Sequence, residues 1–202
     1  MTLHWTCTGI EVHKLVVGPL DNNVFFVRCT QADEAVLIDA ANDPNRLLDL
    51  CRAFNVKAVI QTHGHSDHIQ AIPALREAGY KIGIHAGDAA MLKEYDYLLE
   101  DDIVIRIGEL RLRTIHTPGH TPGSMSFHLE DTPLLFAGDT LFPGGPGATK
   151  FEYSDFKTII KSIEDRLFRV FGLSTIVLPG HGDDTTIGAE APHLEEWIAR
   201  GW

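Results

Sequence analysis

Basic residues are in short supply: 17 lysines and arginines against 28 aspartates and glutamates leave a net charge of -11 over 202 residues. Such a surface repels polyanions, and no basic patch is available to grip phosphate backbones, so nucleic acid is not expected as a partner. Cysteine is scarce too. Cys7, Cys29 and Cys51 are odd in number, far apart and never in a CxxC pair, which argues against a disulfide framework and against a thiolate zinc site. Any metal must then be held by nitrogen and oxygen. The N-terminus MTLHWTCTGIEVHKLVVG has no basic segment followed by a long apolar core, and no apolar run approaches the ~20 residues that span a bilayer. A cytoplasmic protein with no membrane partner is the expectation. Low-complexity segments and linkers are missing as well, and 44% hydrophobic residues suffice for one substantial core. Residues 1–202 are expected to form a single domain.

What is present is strand-rich at first. EVHKLVVG, NVFFVRCT and EAVLIDA are apolar, β-branched runs separated by PLDNN and QAD, which carry turn chemistry. Pro44 then opens a helix over 44–54, with Leu47, Leu48 and Leu50 on one side. VKAVIQT reads as a buried strand, IQAIPALREAG as a helix ended by Gly79, KIGIH as a short strand and GDAAMLKEY as a further helix. Four strand candidates follow, DIVIRIG, ELRLRTIHT, SMSFHLE and PLLFAGD, before a long helix around SDFKTIIKSIEDRLFRVF with Ser154 as its N-cap. A strand, STIVLPG, and a last helix close the chain. Strands followed by strand–helix alternation, given twice, predict an α/β architecture of two sheets packed face to face with helices on both outer faces.

The densest chemistry lies in QTHGHSDHIQ, where His63, His65, Asp67 and His68 occupy six positions between a strand and a helix. Loop residues need not obey strand alternation, so His63 and His65 can converge on one metal while Asp67 and His68 turn toward a second. Imidazole and carboxylate suit zinc, and also iron or manganese. Two sites need further ligands, and three more strand ends offer them. TIHTPGHTPGS sets His120 between two Pro-Gly turns, LLFAGDT ends at Asp139, and IVLPGHG ends at His181 between Gly180 and Gly182. Two divalent ions sharing a water lower its pKa toward neutrality and polarise a carbonyl, which is hydrolytic chemistry on an activated acyl or phosphoryl bond.

In this order, HxHxDH at 63–68, TPGHTPGS, FAGDT and LPGHG resemble the metallo-β-lactamase fold. The resemblance implies an αββα sandwich. It assigns His63, His65 and His120 to a first metal and Asp67, His68 and His181 to a second, with Asp139 bridging them. Asp67 and Asp139 then take the catalytic positions around a hydroxide between the ions, most simply zinc. His4, His13, His85, His116, His128 and His193 have no matching context; His116 is expected in the core, with orientation of a ligand as the other reading.

Within the fold, HTPGHTPGS and GDTLF-GG at 116–124 and 138–145 are similar to the glyoxalase II group, which hydrolyses S-2-hydroxyacyl thioesters of glutathione. Lys150 and Tyr153 resemble the lysine and tyrosine that contact glutathione there. Two departures bear on the carrier thiol: Pro146 and Ala148-Thr149 alter the loop after Asp139, and only residues 182–202 follow His181 where the group has a helical domain. A small-molecule thioester or ester is the expected substrate, with mycothiol or another low-molecular thiol as plausible a carrier as glutathione. Another ester, a lactone or an amide is the hydrolytic alternative, and a mononuclear-iron persulfide dioxygenase is the oxidoreductase one. The Gly-rich run after Asp139 is no P-loop, since neither GKS nor GKT follows.

Overall fold

The computed structural model describes residues 1–201. A first sheet sets β1 (Thr2–Cys7), β2 (Ile10–Val17), β3 (Asn22–Cys29), β4 (Glu34–Ile38), β5 (Val56–Ile60), β6 (Ile82–His85) and β7 (Tyr97–Leu99) side by side in chain order. Pairing is antiparallel as far as β4 and parallel from there on. The change follows from the connections. Tight turns join the early strands, whereas helix α1 (Pro44–Ala53) carries the chain from β4 to β5, and α2 (Ser66–Ile69) with α3 (Ile72–Glu77) from β5 to β6. Such crossovers return the chain to the same edge.

The second sheet contains β8 (Val104–Ile107), β9 (Leu110–His116), β10 (Met125–Leu129) and β11 (Leu134–Gly138). A short ribbon, β12 (Leu141–Phe142) with β13 (Gly145–Pro146), and helix α4 (Phe156–Ser162) lead to β14 (Ile176–Pro179), β15 (Thr185–Thr186), α5 (Ile187–Glu190) and α6 (Leu194–Arg200). Its spatial order is β15-β14-β11-β10-β9-β8, with only β11 and β14 parallel. Strand alternation divides the apolar residues among three layers. On β3 and β4, Val24, Phe26, Ala35 and Leu37 pack toward α1 and α3, while Phe25, Val27, Val36 and Ile38 meet Phe127 and Phe136 of the other sheet. Leu135, Ala137 and Val177 pack outward on Ile159, Ile163 and Trp197. The result is the expected αββα sandwich. Among the described residues no helix is long and apolar enough to cross a membrane.

Four local expectations need correction. Asp155, not Ser154, caps α4: its carboxylate accepts from Thr158 N at 2.7 Å, while Ser154 Oγ donates to His120 O at 2.8 Å. The long helix after it passes at Ile163–Phe168 into a π-helical turn. GDAAMLKEY forms only a 3-10 turn, Ala86–Met91, because Asp88 turns inward to serve the site described below. The helix after β5 is split into α2 and α3 at Gln70-Ala71, where Ala71 N bonds Ala40 O at 2.9 Å instead of extending the helix. Strands β1 and β7 were not signalled by the sequence: TLHWTC is short and half polar, and YLL has only three residues.

Candidate metal centre

Both sheets end their site-bearing strands at one rim of the sandwich, and backbone hydrogen bonds sew the two together there. Met125 N bonds Thr62 O at 2.7 Å, and Asn23 N bonds Gly180 O at 2.7 Å. Glycine is required in this seam. Gly138 has φ 50°, and a Cβ on it would lie 2.6 Å from Thr62 Cβ; one on Gly180 would collide with Asp139 Oδ1.

All seven metal-ligand candidates arrive at this rim. His63, His65 and His120 gather in one group of potential ligand atoms, and Asp67, His68 and His181 in another; a third combination is His63, His68 and Asp139. His63 Nε2 is 3.0 Å from His65 Nδ1, and His68 Nε2 is 3.1 Å from His181 Nε2. Asp139 stands between the groups: Oδ1 is 3.5 Å from His68 Nε2, and Oδ2 is 3.5 Å from His120 Nε2 and 3.7 Å from His181 Nε2.

Each imidazole is held from behind by its other nitrogen. His120 Nδ1 donates to Ala148 O at 2.8 Å, His181 Nδ1 to Leu20 O at 2.9 Å and His68 Nδ1 to Asp39 Oδ2 at 2.9 Å. Thr62 gives its hydroxyl proton to Asp39 Oδ2, so its oxygen accepts from His63 Nδ1 at 3.0 Å. His65 Nε2 meets the Tyr153 hydroxyl at 2.7 Å. These partners fix tautomer and ring orientation, leaving a lone pair on His63 Nε2, His65 Nδ1, His68 Nε2, His120 Nε2 and His181 Nε2 facing inward.

Lone pairs facing one another at about 3 Å repel unless a cation or a proton lies between them. His120 Nε2 and Asp139 Oδ1 are moreover buried with no hydrogen-bond partner among the described residues. Two such orphaned acceptors, within a set of five imidazole nitrogens and two carboxylates turned on one space, fit divalent metal ions. The protein's own charges show the same demand. Burial and the surrounding histidines push His63 well below its ordinary value, and burial with His120 brings His65 down to about 4. Burial would lower His68 as well, but Asp139, Asp39 and Asp67 outweigh it and raise its pKa to about 9. Burial opposes ionisation of Asp67, yet the His181 hydrogen bond, the charge of His68 and the Asn22 amide hold its carboxyl well below the usual range. The group around His65 repels protons, while that around His68 attracts positive charge.

Three supporting residues escaped the sequence reading. Asp39 follows β4 directly, the same strand-end position as the ligand candidates, and that repetition was the available signal. Asn22 Nδ2 donates to Asp67 Oδ2 at 2.8 Å, although DNN reads only as a turn. Asp88, fully buried, accepts from Gly64 N at 2.8 Å, Gly123 N at 2.6 Å and Thr121 Oγ1 at 2.6 Å, tying the His63–His68 loop to the one carrying His120. No sequence signal marks it.

Of the two substrate-contact candidates, Tyr153 is engaged with His65, and Lys150 is exposed without a hydrogen bond or ion pair among the described residues. Phe151, between them, lays its ring 4.7 Å from that of His65 and stacks on Tyr153, making an exposed aromatic wall. His116 is neither in the core nor on a ligand. It is half-buried, stacked on His85 at 4.0 Å, with Nε2 2.9 Å from Pro122 O.

Comparison with known proteins agrees with this geometry. Residues 17–181 match the metallo-beta-lactamase superfamily. A hydroxyacylglutathione hydrolase, GloC, of Haemophilus influenzae is 33% identical over 77% of this chain and 84% of its own. The crystal structure of the BLEG-1 B3 metallo-beta-lactamase superposes with a TM-score of 0.82 at 28% identity, covering 90% of this chain and 97% of that one. TTHA1623, solved in a di-iron-bound form, gives 0.77 at 28% identity, over 89% and 96%. With its sandwich, its gathered ligand atoms and a family match over most of its length, this chain belongs to the metallo-β-lactamase superfamily and is a metal-dependent hydrolase.

Proposed function

We propose that the protein hydrolyses thioesters of the S-2-hydroxyacyl-thiol type at a dinuclear centre. The observation that carries this reading is the second ligand group, Asp67, His68 and His181, gathered as tightly as the first and joined to it through both oxygens of Asp139. Similarity to a protein named hydroxyacylglutathione hydrolase supports the thioester, and the di-iron form of TTHA1623 supports two ions.

His63, His65 and His120 would hold one ion, Asp67, His68 and His181 the other, and Asp139 both. Bound divalent ions supply Lewis acidity toward a carbonyl and lower the pKa of water. The remaining work falls to the chain. Asn22 keeps one oxygen of Asp67 hydrogen-bonded and so fixes the carboxylate's orientation. Tyr153 fixes His65, and Phe151 covers His65 and His120 from solvent on one side, presenting an apolar face to the acyl or thiol carbon chain. Lys150, free at the same rim, can pair with a carboxylate of the carrier thiol. The leaving thiolate is stable near neutral pH and needs no general acid.

Similarity to BLEG-1 favours one other reading, an amide of the β-lactam kind at the same centre. The deciding assay follows thiol release from lactoyl thioesters of glutathione and mycothiol, alongside β-lactam ring opening and, on iron-loaded protein, oxygen uptake with glutathione persulfide. Thioester cleavage dominating the other two is the expected result. Oxygen uptake without cleavage would replace the hydrolytic substrate with a persulfide, and ring opening without thioester cleavage would favour the lactam.

A further inference from the structure

A cleft of about 490 Å³ lies on the far side of α2 from the ligand cluster. Ile69, Ile72, Pro73, Met91 and Leu92 line it, with Ser66 and Gln70 at its edge. Residues 66, 69, 70 and 73 share one face of a helical path, whereas Asp67 and His68 leave from the other, toward Asp139. The cleft therefore backs onto the metal centre and is no part of it. Contact is close on both sides. Met91 lies so near Gly64 that a Cβ there would come within 2.8 Å of Met91 Cβ, and Ser66 opens α2 directly after His65.

The lining is predominantly apolar and the volume falls in the range of about 300–1,000 Å³ common for small-molecule sites. Its charges are unevenly satisfied. Arg76 is taken up by Glu94 and by Asp96, 3.0 Å from its Nε. Lys93, at the rim and exposed, makes no hydrogen bond or ion pair among the described residues. A free ammonium beside an apolar cleft is complementary to an organic anion with an apolar body.

We propose that this cleft is a second ligand site, taking an amphipathic organic anion, an apolar ring or chain that bears one carboxylate or sulfonate. The anionic group pairs with Lys93, and the apolar body rests on Met91, Ile69 and Pro73. An occupant presses on Gly64 through Met91 and on α2 through Ile69, so it stiffens the ligand loop from behind. The proposal is independent of which bond the metal centre cleaves.

The test uses the full chain with 1-anilinonaphthalene-8-sulfonate and its uncharged analogue N-phenyl-1-naphthylamine as fluorescent probes. The sulfonate should bind saturably at one equivalent. Lys93→Glu should weaken it about tenfold, the effect of reversing one charge at a solvent-exposed contact, and leave the uncharged probe nearly unchanged. Pro73→Glu, at an exposed lining position, should weaken both. Amide hydrogen exchange should show probe-dependent protection at residues 64–70 and 91–94. Absence of saturable binding, affinity unchanged in both variants, equal loss of both probes in Lys93→Glu, or protection elsewhere would each overturn the proposal.

Discussion

Asp88→Asn probes the support of the site without touching a ligand candidate. The carboxylate is fully buried, and its three partners are neutral donors: Gly64 N and Thr121 Oγ1 on one oxygen, Gly123 N on the other. An asparagine best keeps its carbonyl toward Gly64 and Thr121 and turns its NH2 toward Gly123 N, where donor faces donor. One hydrogen bond to a charged acceptor is lost, worth about 1.5–3 kcal/mol, and a buried N–H is left unsatisfied. The two surviving bonds weaken, because the acceptor is no longer ionised. Some desolvation cost of the buried charge is recovered. The net loss is about 2–4 kcal/mol, survivable within a stability of about 5–15 kcal/mol. In urea the midpoint should fall by on the order of 1 M. The loss should also be local. Gly64 sits between His63 and His65, and Thr121 and Gly123 follow His120, so metal affinity at that group should drop while the His68–His181 group is spared. Urea titration and metal competition on the purified variant check both effects. A midpoint within about 0.2 M of wild type together with full metal content would refute the reasoning.

Further outcomes are expected. His120→Ala and His181→Ala should each reduce metal content from about two equivalents toward one, as elemental analysis after dialysis would show; a wild-type chain that retains no metal in metal-replete buffer contradicts both assignments. Asp139→Asn should lower kcat by orders of magnitude, because the charge shared by both groups is removed, and normal turnover with normal metal content would deny it the bridging role. Lys150→Ala should raise KM for anionic thioesters more than it lowers kcat, read from steady-state kinetics. Asp96 concerns acid stability: Arg76 foremost, with Ile82 N and Lys81, lowers its carboxyl from 3.8 to about 2. Its stabilising contribution is therefore full above pH 4 and vanishes as pH falls through about 2, amounting to about 2 kcal/mol at most. Asp96→Asn should flatten the stability curve between those values, measured by urea denaturation at each pH.

The strands that build the inner core were legible because β3 and β4 are apolar on both faces, which only a strand between two packed layers requires. The ligand candidates were legible for a different reason: the segments that carry them begin where apolar runs stop, as at Thr62-His63, Gly138-Asp139 and Gly180-His181. Their rear partners were less so. Asp39 shares that strand-end signature, but Ala148 O and Leu20 O are backbone groups that carry no residue-type signal. Asp88 looks like any helix-opening aspartate until the fold brings Thr121 and Gly123 to it. The π-turn at Ile163–Phe168 keeps helical periodicity and is invisible in a hydrophobic pattern.

The seam between the sheets has a mechanical consequence. His63, His65, Asp67 and His68 hang from the first sheet, and His120, Asp139 and His181 from the second, so an ion held among them is a rivet through two plates. Each plate keeps its own hydrogen-bonded lattice, and between them, beyond the side-chain packing, run a few backbone bonds such as Met125 N to Thr62 O and Asn23 N to Gly180 O. A rivet stabilises by RT ln(1 + [M]/Kd), about 4 kcal/mol when free metal exceeds Kd a thousandfold. Chelation should then lower the melting temperature most steeply at low residual metal, and loosening should begin at the rim, with hydrogen exchange accelerating at Met125 and Asn23, whose N–H groups make those bonds, before it reaches Phe127 or Phe136.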